Sequence, residues 1–343
     1  MKVLITGGAG FIGCNAAERY IKKKNEVLLI DNLSRKGSSK NLSYLKNLQQ
    51  NLDFYQIDIR NREPVEKFFK TRGPFDLILH LAAQVAVTTS VEDPRDDFEV
   101  NAIGTFNILE AMREYSPNAF FINASTNKVY GGMTDIEVVE EGGRYQYKDL
   151  KSGIPEKRLL DFHSPYGCSK GAADQYTIDY SRIYGLKTVS LRQSCIYGYR
   201  QFGVEDQGWV AWFTIAAVLG RPITIYGDGK QVRDVLFVED LIRCYDRAYE
   251  KRDAVNGKAY NIGGGPANQM SLLELIGYLE KLTGKKLSYS FDQWRPGDQP
   301  VFVCDIEKAK KDFGWQPKVD VKTGVETLFH WVKENKELFE DFA

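Results

Sequence analysis

The chain of 343 residues is long enough for one large domain or for two of ordinary size, and a hydrophobic content of 43% supports a substantial core. Lysine plus arginine and aspartate plus glutamate both number 46, a balance that argues against a general nucleic-acid binder, which needs a basic face. The five cysteines and three histidines are scattered, so we expect no metal site and interpret the cysteines as free thiols of a cytoplasmic protein.

The first 130 residues alternate between short apolar runs and helical patterns. The runs start with VLIT at residues 3–6 and continue with EVLLID, DFYQID, LILHLA and AFFINAS, each typical of a strand covered on both faces. The helical patterns between them include residues 101–114. This alternation predicts an α/β fold, a doubly wound parallel sheet with helices on both faces. No apolar run approaches the roughly 20 residues that span a bilayer, and the N-terminus does not read as a signal peptide.

A glycine-rich turn links the first strand to the first helix. Its sequence TGGAGFIG spaces Gly7, Gly10 and Gly13 evenly, which allows a tight turn, close approach of backbone N–H groups to a pyrophosphate, and close helix–sheet packing. Such a turn alone is also compatible with a purely structural role. Asp31, however, ends the next strand, where a carboxylate can bond both hydroxyls of an adenosine ribose and repel a 2′-phosphate. Together these features predict a dinucleotide site that favours NAD over NADP. Arg35 and Lys36 nearby either weaken that preference or are solvated loop charges.

A second group of residues predicts the catalytic chemistry. Ser125 and Thr126 end the fifth apolar run, at the edge of the sheet where ligands bind. Tyr166 and Lys170 share one face of a helix that starts near Pro165. A tyrosine pKa is ordinarily about 10, and a lysine ammonium together with a positive nicotinamide ring would favour the phenolate and create a usable base. We therefore predict Thr126, Tyr166 and Lys170 as the catalytic set, with Thr126 bonding the same substrate hydroxyl.

Three further Tyr-x-x-x-Lys matches lack this context. Tyr20 ends the first helical pattern in a lysine run, Tyr147 lies in a polar insertion, and Tyr226 precedes Gly-Asp-Gly. None of them follows the carboxyl end of a predicted strand at the start of a helix. We therefore interpret them as accidental matches.

The motifs together resemble the extended short-chain dehydrogenase/reductase family, over nearly the whole chain. The features that carry the resemblance are Gly7-x-x-Gly10-x-x-Gly13, Asp31, Asp58-Ile59, HLAA at 80–83, Asn101, Thr126 and Tyr166-x-x-x-Lys170. Within that family, DNLSRKG, STNKVYG, LDFHSPYGCSKGAADQY, RQFGVEDQGWVAWF and GKQVRDVL are similar to 2-epimerases of CDP-hexoses. This similarity implies a bound NAD that is not consumed and a CDP-hexose whose C2 is inverted through a transient 2-keto sugar, with Tyr166 taking the hydroxyl proton.

The resemblance also assigns residues to each ligand. It implies cofactor contacts at Gly7, Gly10, Phe11, Ile12, Gly13, Asp31, Asn32, Ser34, Arg35, Asp58, Ile59, Leu81, Ala82, Ala83, Gln84, Asn101, Tyr166 and Lys170. It implies substrate contacts at Thr126, Asn127, Gln193, Cys195, Gln207, Val210, Arg233, Arg295 and Asp298. The two arginines would hold the diphosphate of the nucleotide sugar, for which planar guanidinium groups are suited, and surface ion pairs are the alternative interpretation.

Two departures from the family pattern bear on the chemistry. Dehydratases of the family carry an acidic pair after the catalytic threonine, whereas this chain has Asn127 and Lys128, which disfavours 4,6-dehydration. An asparagine common before x-Tyr-Gly is replaced by Cys195, which puts one amide contact to the substrate phosphate in doubt. Cys168, inside the Tyr166 helix, is expected to pack, and an acid/base thiol is the alternative.

After residue 195 the alternation loosens, and glycine, proline and aromatic residues cluster in 197–230 and 291–300. We predict a Rossmann-type NAD-binding domain of residues 1–194 plus 236–263. We predict a smaller, discontinuous nucleotide-sugar-binding domain of residues 195–235 plus 264–343. The family resemblance implies a homodimer or homotetramer that pairs through the helices at 101–114 and 165–184.

Two other functions remain open at the level of sequence. A UDP-hexose 4-epimerase would use the same residues on another carbon of the sugar. An NAD-binding regulator would keep the fold and lack chemistry, although such a protein has no need for a Thr126, Tyr166 and Lys170 set. The sequence leaves the natural sugar undetermined.

Overall fold

The computed structural model describes residues 1–295 and 297–340 of the chain. Its helices are α1 (Phe11–Lys22), α2 (Ser38–Leu48), α3 (Arg62–Arg72), α4 (Val87–Glu92), α5 (Pro94–Phe98), α6 (Gly104–Tyr115), α7 (Ser164–Tyr184), α8 (Trp209–Leu219), α9 (Val238–Glu250), α10 (Arg252–Val255), α11 (Leu272–Thr283), α12 (Glu307–Phe313) and α13 (Val321–Glu334). Its strands are β1 (Lys2–Thr6), β2 (Glu26–Asp31), β3 (Asp53–Gln56), β4 (Leu77–His80), β5 (Phe120–Thr126), β6 (Val138–Glu141), β7 (Arg144–Tyr147), β8 (Lys187–Gln193), β9 (Cys195–Tyr197), β10 (Ile223–Tyr226), β11 (Val232–Phe237), β12 (Lys258–Ile262), β13 (Gln269–Ser271), β14 (Tyr289–Asp292) and β15 (Val301–Phe302). A π-helical turn lies at Glu99–Ile103, and 3-10 turns lie at Asn127–Tyr130 and Lys336–Phe339.

Seven parallel strands form the central sheet, in the order β12-β8-β5-β4-β1-β2-β3, which confirms the predicted doubly wound α/β fold. One apolar cluster packs α1 and α9 on one face, and a second packs α3 and α6 on the other. The chain moves outward from β1 to β3 and then crosses back to β4 on the opposite side of β1. In open α/β sheets a crevice forms at such a switch point, beyond the carboxyl ends of the strands, and ligands bind there.

A second region is built around a smaller sheet in which β11 pairs with β9, β13 and β15. Helices α8, α11 and α13 share one apolar cluster with β9, β11 and β13. Strand β12, although late in the chain, pairs with β8 at the edge of the central sheet. The chain therefore passes more than once between the two regions, while the residue bounds of the two domains stay a prediction.

Helix α7 carries the predicted catalytic tyrosine and lysine, and buried polar contacts fix it against the sheet. Asp174 on α7 accepts hydrogen bonds from Arg192 Nη2 and Ser190 Oγ of β8, at 2.9 and 2.6 Å. The Arg192 and Asp174 side chains are 5% and 0% exposed. Removing one partner of such a buried pair costs about 3–5 kcal/mol of stability. The pair therefore gives α7 one defined position beside β5 and β8.

Aromatic side chains of α6 and α7 form an exposed face. Phe106 and Tyr176 have ring centroids 5.8 Å apart and are 39% and 48% exposed. Tyr184 and Ile183, farther along α7, are also exposed. The family resemblance implies pairing through these helices, and the homodimer or homotetramer stays a prediction.

The cysteines do not form disulfides, and Cys14, Cys244 and Cys304 are buried. The expected packing role of Cys168 is wrong, because its side chain is exposed on the outer face of α7. Across residues 1–295 and 297–340 we find no group of three or more His, Cys, Asp or Glu side chains arranged to hold a metal ion. Over the same residues, no helix combines the length and the apolar character needed to cross a membrane.

Candidate active site

Three adjoining pockets run along the carboxyl ends of the central strands. The inner pocket, of about 350 Å³, is bounded by the glycine turn and by residues that follow β2, β3 and β4. The central pocket, of about 230 Å³, contains the end of β5 and the start of α7. The outer pocket, of about 450 Å³, reaches the second region. Val85 and Gln207 line all three, so the pockets form one continuous cleft.

The glycine turn shapes the inner pocket. Gly7 has φ +66°, and a Cβ there would lie 2.8 Å from Ala82 N, while a Cβ on Gly13 would overlap the Gly7 carbonyl oxygen. Glycine therefore allows β1, α1 and the chain after β4 to meet. Phe11 and Ile12, in the first turn of α1, line the pocket, and the N–H groups of a first turn have no intrahelical partner. The turn thus has the shape and the free donors that a pyrophosphate requires.

Two carboxylates are held in place along the inner pocket. Asp31 Oδ2 accepts a hydrogen bond from Ala9 N at 3.0 Å, and Oδ1 accepts one from Leu33 N at 2.7 Å. Burial raises the pKa of Asp31, and these backbone bonds oppose that shift. Asp58 pairs with Arg60 Nη2 at 2.7 Å, and hydrogen bonding from Arg60 lowers the Asp58 pKa to about 2. The pocket thus places a fixed carboxylate where a ribose hydroxyl pair would bind.

Most residues that the resemblance assigns to the cofactor lie together in this pocket. Those that line it are Gly7, Gly10, Phe11, Ile12, Gly13, Asp31, Asn32, Ser34, Arg35, Asp58, Ile59, Leu81, Ala82, Ala83 and Gln84. Asn101 lies beneath the cleft in the π-helical turn, and it is 1% exposed. Its Nδ2 donates to Gln84 O and Ser169 Oγ, both at 3.1 Å, and its Oδ1 accepts from Gln84 N at 2.9 Å. Asn101 therefore ties the loop at Gln84 to α7 and does not itself line the cleft.

The predicted catalytic residues meet in the central pocket. Thr126 ends β5, and its hydroxyl lies beside the Tyr166 phenol in this pocket. The Tyr166 backbone N–H donates to Ser90 Oγ at 3.2 Å, and Lys170 Nζ donates to Ala124 O at 2.7 Å. All three side chains are buried and line the pocket. The arrangement presents two adjacent hydroxyl groups to a bound alcohol.

The charges around Tyr166 differ from the sequence-based expectation. Burial raises the Tyr166 pKa to about 12, Asp97 adds to the increase, and the neighbouring Thr126 hydroxyl and the charge of Arg35 oppose it. Burial lowers the Lys170 pKa to about 8, and its ammonium is engaged by the Ala124 carbonyl. Desolvation thus outweighs the nearby positive charge, and in the protein alone Tyr166 is a neutral phenol at pH 7.

The other Tyr-x-x-x-Lys matches lie outside the central pocket. Tyr20 is 1% exposed in the core under α1. Tyr147 Oη donates to Val301 O at 3.0 Å, within a cluster below the second sheet. Tyr226 lines the outer pocket, where the Arg295 guanidinium lies 3.9 Å from its ring centroid. The structure therefore supports Tyr166 alone among the four as a candidate base.

The outer pocket holds the two predicted arginines. The Arg233 side chain is 8% exposed, and its Nη2 bonds to Asp298 Oδ1 at 2.6 Å. Arg295 stacks on Tyr226, and its Nη2 pairs with Asp206 Oδ1 at 3.0 Å. Arg233 is therefore a buried cation at the wall of the pocket. This burial excludes the exposed surface ion pair that was the alternative interpretation of Arg233.

All residues that the resemblance assigns to the substrate line the central or the outer pocket. They are Thr126, Gln193 and Val210 in the central pocket, Asn127, Arg233, Arg295 and Asp298 in the outer pocket, and Cys195 and Gln207 in both. Sequence reasoning did not identify Trp209, which lines both pockets together with Cys195. A signal was present, since Trp209 follows Gly208 within the RQFGVEDQGWVAWF segment that carries the family resemblance.

Comparison with known proteins identifies relatives that match this chain over most of its length. The GDP-mannose 4,6 dehydratase family model matches residues 4–328. The chain is 47% identical over 336 residues to CDP-paratose 2-epimerase of Salmonella typhi, which covers 96% of this chain and 99% of that protein.

Solved structures agree with this assignment. The Thermotoga maritima UDP-glucose 4-epimerase with UDP-glucose is 32% identical, with a TM-score of 0.83 over 98% of this chain and 100% of that one. The Thermus thermophilus UDP-glucose 4-epimerase in complex with NAD is 33% identical, with a TM-score of 0.80 over 96% of this chain and 99% of that one. The chain therefore belongs to the extended short-chain dehydrogenase/reductase family, in the group that the GDP-mannose 4,6 dehydratase model describes.

Proposed function

We propose that the protein is an isomerase, an NAD-dependent epimerase that inverts C2 of a CDP-hexose. The observation that carries the proposal is the central pocket, where the Thr126 and Tyr166 hydroxyls meet between a dinucleotide-shaped pocket and a cationic one. The identity of 47% with CDP-paratose 2-epimerase supports both the carbon and the nucleotide.

The inner pocket fits NAD, because the glycine turn leaves room for a pyrophosphate and the Asp31 carboxylate suits an unphosphorylated ribose. When bound, NAD supplies an acceptor for the hydride of a sugar carbon and returns that hydride, so the reaction has no net oxidation. The positive charge of a bound nicotinamide ring would favour the Tyr166 phenolate over the phenol of the protein alone. In that form Tyr166 Oη takes the proton of the sugar hydroxyl and later gives it back. Thr126 orients that hydroxyl, and Lys170 fixes the end of β5 through Ala124 O.

The residues of the central pocket favour epimerisation over dehydration. Loss of water from a sugar requires an acid to protonate the departing hydroxyl and a base to remove a C–H proton. None of the described residues that line the central pocket is an aspartate or a glutamate. Asn127 and Lys128 follow Thr126 at the positions where the dehydratase pattern has acids. The pocket is therefore equipped to move the proton of a hydroxyl.

Turnover of a small panel of nucleotide sugars tests the proposal. The protein should convert CDP-hexoses to their C2 epimers, identified by NMR of the product, faster than it converts UDP-hexoses. Inversion at C4 of UDP-glucose in place of C2 chemistry would identify a UDP-hexose 4-epimerase. A folded protein that turns over no nucleotide sugar would instead be a binding protein without chemistry.

The cofactor can be tested independently of the substrate. We expect purified protein to release NAD when it is denatured, because a reaction without net oxidation needs no cofactor exchange. Added NADP should bind much more weakly, since the Asp31 carboxylate repels a 2′-phosphate. The released nucleotide is identified by chromatography, and stoichiometric NADP would contradict the role given to Asp31.

A further inference from the structure

Lys128 stands at the junction between the catalytic residues and the outer pocket. Its backbone N–H donates to Thr126 Oγ1 at 3.3 Å, in the 3-10 turn that follows β5. Its side chain is 21% exposed, and Nζ lies 3.9 Å from Asp298 Oδ1 and 3.4 Å from Gly297 O. One short turn therefore holds the catalytic threonine and the backbone of Lys128, and it directs the lysine side chain toward Asp298.

The inner end of the outer pocket has an excess of positive charge. Lys128 and Arg233 both contact the Asp298 carboxylate, the one acidic group that the described residues place between them. The remaining acidic residues of the pocket are exposed at its rim: Glu92, Glu205 and Asp206. Arg295 is paired with Asp206 at that rim. Burial and the charge of Arg233 lower the Lys128 pKa, and the charge of Asp298 opposes the decrease. An anion bound at this point would further stabilise the charged form of the lysine.

The chemistry of the substrate says where an anion would lie. In a nucleotide sugar the diphosphate is attached at C1, which is bonded directly to C2, whereas C4 is across the ring. An enzyme that works on C2 must therefore bring the sugar-proximal phosphate next to its acid/base residues, and an enzyme that works on C4 holds it farther away. In this protein Lys128 lies two residues after Thr126, its backbone N–H bonds to the Thr126 hydroxyl, and its ammonium lies in the outer pocket.

We propose that Lys128 binds the sugar-proximal phosphate of the nucleotide sugar and thereby presents C2, and not C4, to Thr126 and Tyr166. The inference rests on the proposed function for the identity of the reacting carbon. It makes Lys128 a binding residue that selects the position of reaction, at the place where dehydratases carry an acid. Its contribution is to ligand binding and orientation, and the proton transfer itself stays with Tyr166.

The test compares Lys128→Met and Lys128→Arg with the wild type and with Lys310→Met, a substitution of an exposed lysine on α12. Calorimetry with CDP and with cytidine measures phosphate-dependent binding. A hydrogen bond to a charged group corresponds to roughly a 10- to 100-fold change in Kd. We expect Lys128→Met to weaken the binding of CDP by that factor and to leave the binding of cytidine unchanged. We expect Lys128→Arg to retain most of the affinity for CDP.

Product analysis with CDP-glucose supplies the second readout. Lys128→Met should raise KM and lower the yield of the C2 epimer relative to the C4 epimer, while Lys310→Met behaves as the wild type. Equal affinity for CDP in Lys128→Met and wild type would overturn the proposal. If the wild type does not act on CDP-hexoses, the proposed function fails. The Kd comparison is then made with UDP or dTDP, whichever the wild type binds more tightly, so that Lys128 is still judged. Thermal unfolding of each variant shows that the fold is retained.

Discussion

Replacing Tyr166 with phenylalanine should lower turnover by roughly 10²–10⁴, the usual contribution of a positioned acid/base group. The phenol lies in the central pocket beside the Thr126 hydroxyl, and the substitution removes one oxygen. The ring keeps its packing, and the backbone bond to Ser90 Oγ is unaffected. We therefore expect the variant to fold and to bind the nucleotide sugar, so that kcat falls much more than affinity does.

The other three Tyr-x-x-x-Lys tyrosines provide matched controls. Tyr20→Phe and Tyr226→Phe remove hydroxyls outside the central pocket, and Tyr147→Phe removes a bond to Val301 O. The last change should cost about 1 kcal/mol of stability with little change in turnover. Single-turnover rates and unfolding free energies separate the two kinds of effect. Near-full activity in Tyr166→Phe would remove this residue from the mechanism.

Five of the seven strands of the central sheet, β1 to β5, could be predicted because each is a short apolar run between glycine or polar segments. Those runs are covered on both faces, and the position of Asp31 after β2 followed from the same pattern. Contacts between distant parts of the chain could not be predicted this way. The Arg233–Asp298 pair joins residues 65 positions apart, and their common pocket depends on how the second region folds over the first.

The direction of the Tyr166 pKa shift also could not be predicted from the sequence. Sequence places a lysine one helical turn away, but the pKa depends on how completely the phenol is removed from water and on where the ammonium points.

The exposure of Cys168, by contrast, could have been predicted from helix geometry. A helix rotates about 100° per residue, so Cys168 lies about 200° from Tyr166, on the opposite face of α7. Its exposure follows from the burial of Tyr166 and Lys170.

Acidification from pH 7 toward pH 3 should destabilise the fold by several kcal/mol through His80 alone. His80 is 1% exposed at the end of β4, and burial lowers its pKa from 6.5 to about 3, with the charge of Lys170 adding to the decrease. The folded protein thus keeps His80 neutral, whereas the unfolded chain takes up a proton below about pH 6.5. The stabilising contribution is therefore complete above pH 6.5 and is lost as pH falls toward 3.

The hydrogen bonds around His80 explain why the neutral ring is preferred. Thr6 Oγ1 already accepts hydrogen bonds from Leu81 N and Ala82 N, both at 3.1 Å, so its own proton is directed to His80 Nδ1 at 2.9 Å. Thr105 Oγ1 donates to a backbone carbonyl and therefore accepts from His80 Nε2 at 2.9 Å. A proton on Nδ1 would leave two donors facing each other in a buried site.

Urea unfolding at several pH values between 7 and 4 measures the effect. In His80→Asn, which has no proton to gain in this range, the free energy of unfolding is lower at pH 7 and should fall less steeply with acid than in the wild type. His330→Gln, at an exposed position on α13, should keep the wild-type pH dependence. Identical slopes for His80→Asn and the wild type would mean that carboxylates alone cause the loss of stability in acid.

Thr6, which bonds His80 Nδ1, also holds the chain at Leu81 and Ala82. The same acidification should therefore loosen the inner pocket and weaken cofactor retention.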